Sequence, residues 1–160
     1  MGNLPDFSKD KFVFVVGSGP SLSETPKGFF SVAPVVGCNS VCEYIRPTVW
    51  CTAHSAWFET TTIRYAKTEN YESAFVVKNL IVDGDPRDIQ EEAKDIFSES
   101  INNKINWIEI NKDASAKDVI FSRDPYKFVL PQDHPTICSS GIIGAEIAVR
   151  LGARAIVVVG

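Results

Sequence analysis

The chain has 160 residues, 44% hydrophobic and 22% charged, with a formal net charge of −4 and a pI near 5.2. That mixture predicts one globular domain with a real core, and its acidic balance excludes nucleic-acid binding through a broad basic surface. The longest apolar runs, Phe12 to Val16 and Ala155 to Val159, fall far short of the roughly 20 residues of a membrane helix, and Met1 to Asp6 lack a signal-like start, so a soluble cytoplasmic protein is expected.

The first predicted element is a strand at 12–16, whose Val13, Val15 and Val16 suit a strand buried on both faces. It breaks into Gly17-Ser-Gly-Pro-Ser-Leu22. Gly17 and Gly19 permit a tight turn and a close ligand approach, and Pro20 suits the first turn of a helix. Free N–H groups there, with the hydroxyls of Ser18 and Ser21, would favour an anion. The loop matches neither standard phosphate motif. A Walker loop needs Lys-Ser/Thr after its last glycine, and the dinucleotide pattern needs a third glycine where Leu22 stands.

Strands are expected next at 33–37 and 48–52, with helical segments at 40–45 and 55–68. Asn39 lies at a predicted strand end, where its amide can donate to and accept from a base or ribose, or simply cap a turn. His54 follows the third strand, placed either as a base at the carboxyl edge of the sheet or as a cap of the next helix. Further strands are expected at 74–82 and 105–110, with a helix at 86–99 started by Asp85 as cap and Pro86 at its first position. Asp83-Gly-Asp85 is also the kind of acidic pair that holds a divalent metal, although the cap reading already employs Asp85.

Residues 111–135 are polar and punctuated by prolines, and read as a loop or lid. They carry Arg123 and Lys127, cations suited to a diphosphate, and His134, which would approach a ligand when the lid closes. The clearest helix spans 139–151: Ile143, Ile147 and Leu151 recur every four residues, Gly141, Gly144, Ala145 and Ala148 form a small surface, and Gly152 ends it. Its start, Thr136 to Gly141, including Ser140, is a second candidate anion site. A last strand is expected at 154–159, and the residues after it should line the ligand crevice, so the chain reads as cut short at Gly160.

Cys38, Cys42, Cys51 and Cys138 show neither disulfide-framework nor zinc-ribbon spacing and read as reduced cytosolic thiols, and no metal site is expected on them. Alternating strands and helices predict an α/β, Rossmann-like three-layer domain with a mostly parallel sheet, occupying 1–160. An exposed sheet edge leaves a homo-oligomer open.

Val16-Gly-Ser-Gly-Pro-Ser-Leu22, Gly37-Cys-Asn-Ser40, Trp57-Phe-Glu59 and Ser140-Gly141 followed by Ala145, Val149 and Gly152 together resemble the bacterial sialyltransferases of glycosyltransferase family 42. They also resemble a related group, sharing the Gly-x-Gly-Pro-Ser-Leu start, that includes 6-hydroxymethylpterin pyrophosphokinases. The first resemblance implies a CMP-sugar as substrate, no obligatory cofactor, and a nucleotide held by Gly17, Ser18, Gly19, Ser21, Asn39, Ser140 and Gly141. The second implies ATP with Mg²⁺. This chain departs from family 42 in having Ala53-His54-Ser55 where the family has an asparagine, and the family's catalytic histidine lies beyond the last strand. The residues themselves leave His54 and His134 as candidate bases, and a non-catalytic nucleotide-binding module as the alternative from another class.

Overall fold

A computed structural model of the chain describes residues 4–52, 73–77, 79–82, 85–111, 127–129 and 140–160. Among these, seven parallel strands form one sheet: β1 (Val13–Val16), β2 (Val35–Cys38), β3 (Val49–Thr52), β4 (Ala74–Val77), β7 (Asn106–Asn111), β8 (Lys127–Val129) and β9 (Ile156–Val159). They run in the order β8-β7-β4-β3-β2-β1-β9. Two more, β5 (Asn79–Val82) and β6 (Asp85–Asp88), make a separate antiparallel ribbon.

The sheet is covered on both faces, and strand alternation sorts its side chains. On one face Val13, Val15, Val36, Cys38, Val49, Cys51, Phe75 and Ile108 pack with Phe7 and with Ile143, Ile147 and Ala148 of the long helix α4 (Ser140–Arg150). On the other, Phe14, Val16 and Val35 pack with Leu22, Phe30 and Val41, while Trp50, Ala74 and Val76 pack with Ile89, Ala93 and Phe97. Leu22 comes from the single turn α1 (Ser21–Glu24), and Phe30 and Val41 come from short 3-10 helices. The result is the three-layer, Rossmann-like α/β architecture that the alternating pattern predicts.

From β1 the chain steps outward through β2, β3 and β4 to β7 and β8, then returns to lay β9 on the far side of β1. The strand order therefore reverses between β1 and β9, the position at which open parallel sheets bind ligands beyond their carboxyl ends. The Val13↔Ile156 to Val16↔Val159 register brings the turn after β1 against the end of β9, where the Gly17 N–H donates to the Val159 carbonyl at 2.7 Å.

Several expected elements differ. The expected strand at 74–82 is two strands, and the helix expected from Asp85-Pro86 starts later, because Asp85 to Asp88 are paired with β5 instead. Pro86 is tolerated in this two-stranded ribbon, where a proline's missing N–H can face away from the partner. The cap is Asp88, whose carboxylate accepts the Glu91 N–H at 3.0 Å and opens α2 (Ile89–Glu92). Arg87 then closes on Glu92, its Nε donating to Oε1 at 2.8 Å. A 3-10 turn over Ala93–Asp95 occupies the later part of the expected 86–99 helix, and the short helix α3 (Glu99–Asn102) begins only at its end. The segment expected at 40–45 is a 3-10 helix over Asn39–Glu43. Within the stretch read as a lid, Lys127 to Val129 form β8 beside β7. The helix expected at 55–68, Asp83, Arg123 and the rest of the lid lie outside the described residues. No helix among the described residues is long and apolar enough to cross a membrane.

Helix α4 ends as its sequence predicts. Gly152 has φ +99°, its N–H donates to the Val149 carbonyl and the Ala153 N–H to the Ala148 carbonyl, each at 2.9 Å, which together form a Schellman motif. A Cβ at Gly152 would meet the Ser8 backbone N at 3.0 Å, whereas one at Gly28 would meet nothing within 4 Å. Gly152→Ala is therefore expected to cost about 1–2 kcal/mol in urea unfolding, from the left-handed backbone, while Gly28→Ala stays within about 0.5 kcal/mol of the parent.

Candidate functional site

Three sequence-distant elements lie at the carboxyl edge of the sheet: the turn after β1, the residue after β2, and the first turn of α4, the last two in direct contact. The contact that aligns them lies one turn into α4. Helix and strands approach so closely at Gly144 that an added Cβ would meet Cys38 Sγ at 2.9 Å and both Cys51 Sγ and Val15 Cγ1 at 3.3 Å. This close approach sets the start of the helix directly over β2 and β3. The Cys38 and Cys51 thiols, in register on adjacent strands and 3.6 Å apart, both donate to the Ser140 carbonyl, at 3.3 and 3.5 Å.

The Ser140 hydroxyl donates to Asn39 Oδ1 at 2.8 Å, and the hydroxyl of Thr52, at the end of β3, donates to the same oxygen at 3.0 Å. Asn39 has φ 54°, the one positive φ outside glycine among the described residues. Asparagine is among the few residues that adopt this left-handed backbone readily. Its carbonyl is held by Trp50, whose buried indole N–H donates to it at 2.6 Å. The Asn39 side chain thus makes its contacts across the sheet and to α4 rather than capping the local turn.

The glycine-rich turn has a different character from the one its sequence suggests. Neither Gly17 nor Gly19 has a positive φ. Gly19 is needed because a Cβ would lie 2.5 Å from the Gly160 carbonyl carbon, so its close approach is to the chain's own backbone; at Gly17 the nearest atom would be 3.8 Å away. The helix begun at Pro20 is the single turn α1, with no side-chain cap, and Ser18 and Ser21 are exposed at the edge. Eleven-residue α4 is the longest helix described and brings Ser140 and Gly141 to the site in its first turn. Gly141 is half-buried and Ser140 buried.

Of the residues the sequence singles out, Gly17, Asn39, Ser140 and Gly141 are brought to this edge, with Ser18, Gly19 and Ser21 in the adjoining turn. His54 and His134 lie outside the described residues. Among the described residues no group of acidic, histidine and cysteine side chains has the arrangement of a metal site. Sequence reasoning missed Thr52 and the indole of Trp50. The available signal was a hydroxyl at the carboxyl end of a buried parallel strand, the edge where ligand contacts collect. Comparison of the chain with protein-family models, curated proteins and solved structures finds no match.

Two consequences follow from the tight packing beneath the site. Gly144→Ala overpacks the contact of α4 with β1 to β3, and equilibrium unfolding should register a loss of about 1–3 kcal/mol. Hydrogen bonding to Cys38 and then burial push the Cys51 thiol well above its ordinary value. The unfolded chain releases that proton from about pH 8.5 upward while the folded chain retains it, so stability falls as pH rises past that value. The urea midpoint of the parent should accordingly decline more steeply between about pH 8 and 10 than that of Cys51→Ala; parallel slopes would show the thiol to be uninsulated.

Proposed function

We propose that this chain is a nucleotide- or nucleotide-sugar-binding domain of a transferase, holding a CMP-sugar donor in the manner of the family 42 sialyltransferases it resembles. The observation that carries this reading is the placement of the Gly17–Gly19 turn, Asn39 and the start of α4 at one carboxyl edge, beside the reversal of strand order between β1 and β9. Parallel α/β sheets place ligands at that edge because helix N-termini, with their free N–H groups and positive dipole ends, face it together. The hydroxyls of Ser18 and Ser21 and the amide of Asn39 offer neutral polar contacts of the kind that orient a ribose, base or phosphate.

In this reading the acceptor hydroxyl attacks the donor sugar and displaces CMP directly. An acceptor hydroxyl must lose its proton as the new bond forms, and His54 and His134 are the candidate bases. The domain's own contribution is to hold the nucleotide so that the leaving phosphate is fixed and its charge is met by N–H and O–H donors.

The test is a thermal-unfolding series of this chain with CMP, CDP, UDP, GDP, ADP and ATP, each with and without Mg²⁺. A ligand at 100 times its Kd stabilises the folded state by about 2.7 kcal/mol. A selective rise with CMP, independent of Mg²⁺ and lost in Asn39→Ala, is expected. An ATP response that requires Mg²⁺ would favour the pyrophosphokinase-like reading, and no response to any nucleotide would overturn nucleotide binding by this domain.

A further inference from the structure

A primary amide carries one oxygen with two lone pairs and one nitrogen with two N–H donors, and which end faces a ligand decides what that ligand must present. In Asn39 both oxygen lone pairs are taken. The Thr52 hydroxyl donates to Oδ1 at 3.0 Å and the Ser140 hydroxyl at 2.8 Å, both within ordinary hydrogen-bond length. The two donors come from different layers, Thr52 from the end of a sheet strand with its side chain buried and Ser140 from the first turn of the helix packed on that sheet. The backbone beneath is held as firmly, because the Trp50 indole N–H donates to the Asn39 carbonyl at 2.6 Å across the left-handed turn. Nδ2, by contrast, has no hydrogen-bond partner among the described residues, and the side chain as a whole is only half-buried.

We infer that Asn39 is locked as a pure hydrogen-bond donor, so that the group it meets is an acceptor oxygen or ring nitrogen of the ligand, and that Thr52 is the positioning residue that fixes this polarity. The inference rests on the nucleotide-binding reading above and deepens it by stating which chemistry the site selects at this position. A ligand presenting a hydroxyl or amino donor here would find no acceptor, because Oδ1 is saturated and Nδ2 only donates. A phosphate, sugar or base carbonyl oxygen, or an unprotonated ring nitrogen, satisfies it. Burying a polar group against a mismatched partner is costly, so the lock discriminates by rejection as well as by attraction.

Asn39→Asp separates recognition from structure. A carboxylate keeps the acceptor that Thr52 and Ser140 require, so the variant should melt within a few degrees of the parent. It replaces the outward donor with an anionic acceptor, and should bind CMP at least a hundredfold more weakly. Thr52→Val should weaken CMP binding about tenfold and Thr52→Ser should restore it, a rescue that loss of packing alone would not produce. Cytidine run beside CMP separates the acceptor's source: a defect shared by both places it on base or sugar, and one confined to CMP places it on the phosphate. Undiminished CMP binding by Asn39→Asp would overturn the inference.

The polarity of the amide is also read without any ligand, so that failure of the nucleotide reading remains distinguishable. In ¹⁵N-labelled protein the Asn39 side-chain amide protons, assigned by their loss in Asn39→Asp, should exchange with solvent about as fast as those of an exposed amide. Strong protection of these protons would show the nitrogen turned toward Thr52 and Ser140 and would overturn the lock even if CMP binds. Rapid exchange with no nucleotide response would retain the lock and remove the nucleotide.

Discussion

The site depends on one close contact, the seating of α4 on β1, β2 and β3 at Gly144. Interiors are packed so densely that a single added methyl group must displace its neighbours, and here those neighbours are two thiols and a valine at 2.9 to 3.3 Å. The absence of a side chain at this position brings the first turn of the helix down to the strand ends. Both thiols then reach the Ser140 carbonyl, and the Ser140 hydroxyl reaches Asn39. A helix held even a methyl group further out would stretch the Ser140 to Asn39 bond of 2.8 Å beyond hydrogen-bond length.

Polar groups continue that contact outward into the site. Trp50, Thr52 and Ser140 each spend a donor on Asn39, on its backbone carbonyl or its side-chain oxygen. A left-handed asparagine is maintained where the surroundings over-determine it, and three donors from two layers provide that determination. The strand order supplies the setting, because it reverses between β1 and β9, the position at which open parallel sheets bind ligands. The glycine-rich turn lies at this reversal, with Gly19 accommodating the end of β9. Gly19 is thus required by a contact within the fold itself.

Much of this architecture was legible in the chain. Parallel strands announce themselves as β-branched runs, and Val13 to Val16 and Val49 to Thr52, both buried, and Ile156 to Val159, partly exposed at the sheet edge, lie within a residue or two of where that pattern puts them. The four-residue recurrence of Ile143 and Ile147, closed by Gly152, predicts α4 and its end, because stripe and cap chemistry are both local. The reading failed at Asp85-Pro86. Cap followed by proline is a valid helix start, but the same residues also suit an edge strand, and pairing with Asn79 to Val82 decided between them.

The sequence by itself determined the layer architecture, the long helix, the turn after β1 and the candidacy of Asn39 and Ser140, since periodicity and turn chemistry are properties of neighbouring residues. Only the tertiary structure decided what those candidates touch. That Ser140, 101 residues from Asn39, donates to its oxygen, that Thr52 completes the pair, and that Gly19 faces Gly160 are consequences of strand order and helix seating, which join residues no local pattern connects. The polarity of Asn39 belongs to this second kind, because an amide can face either way until its partners across the sheet select one end.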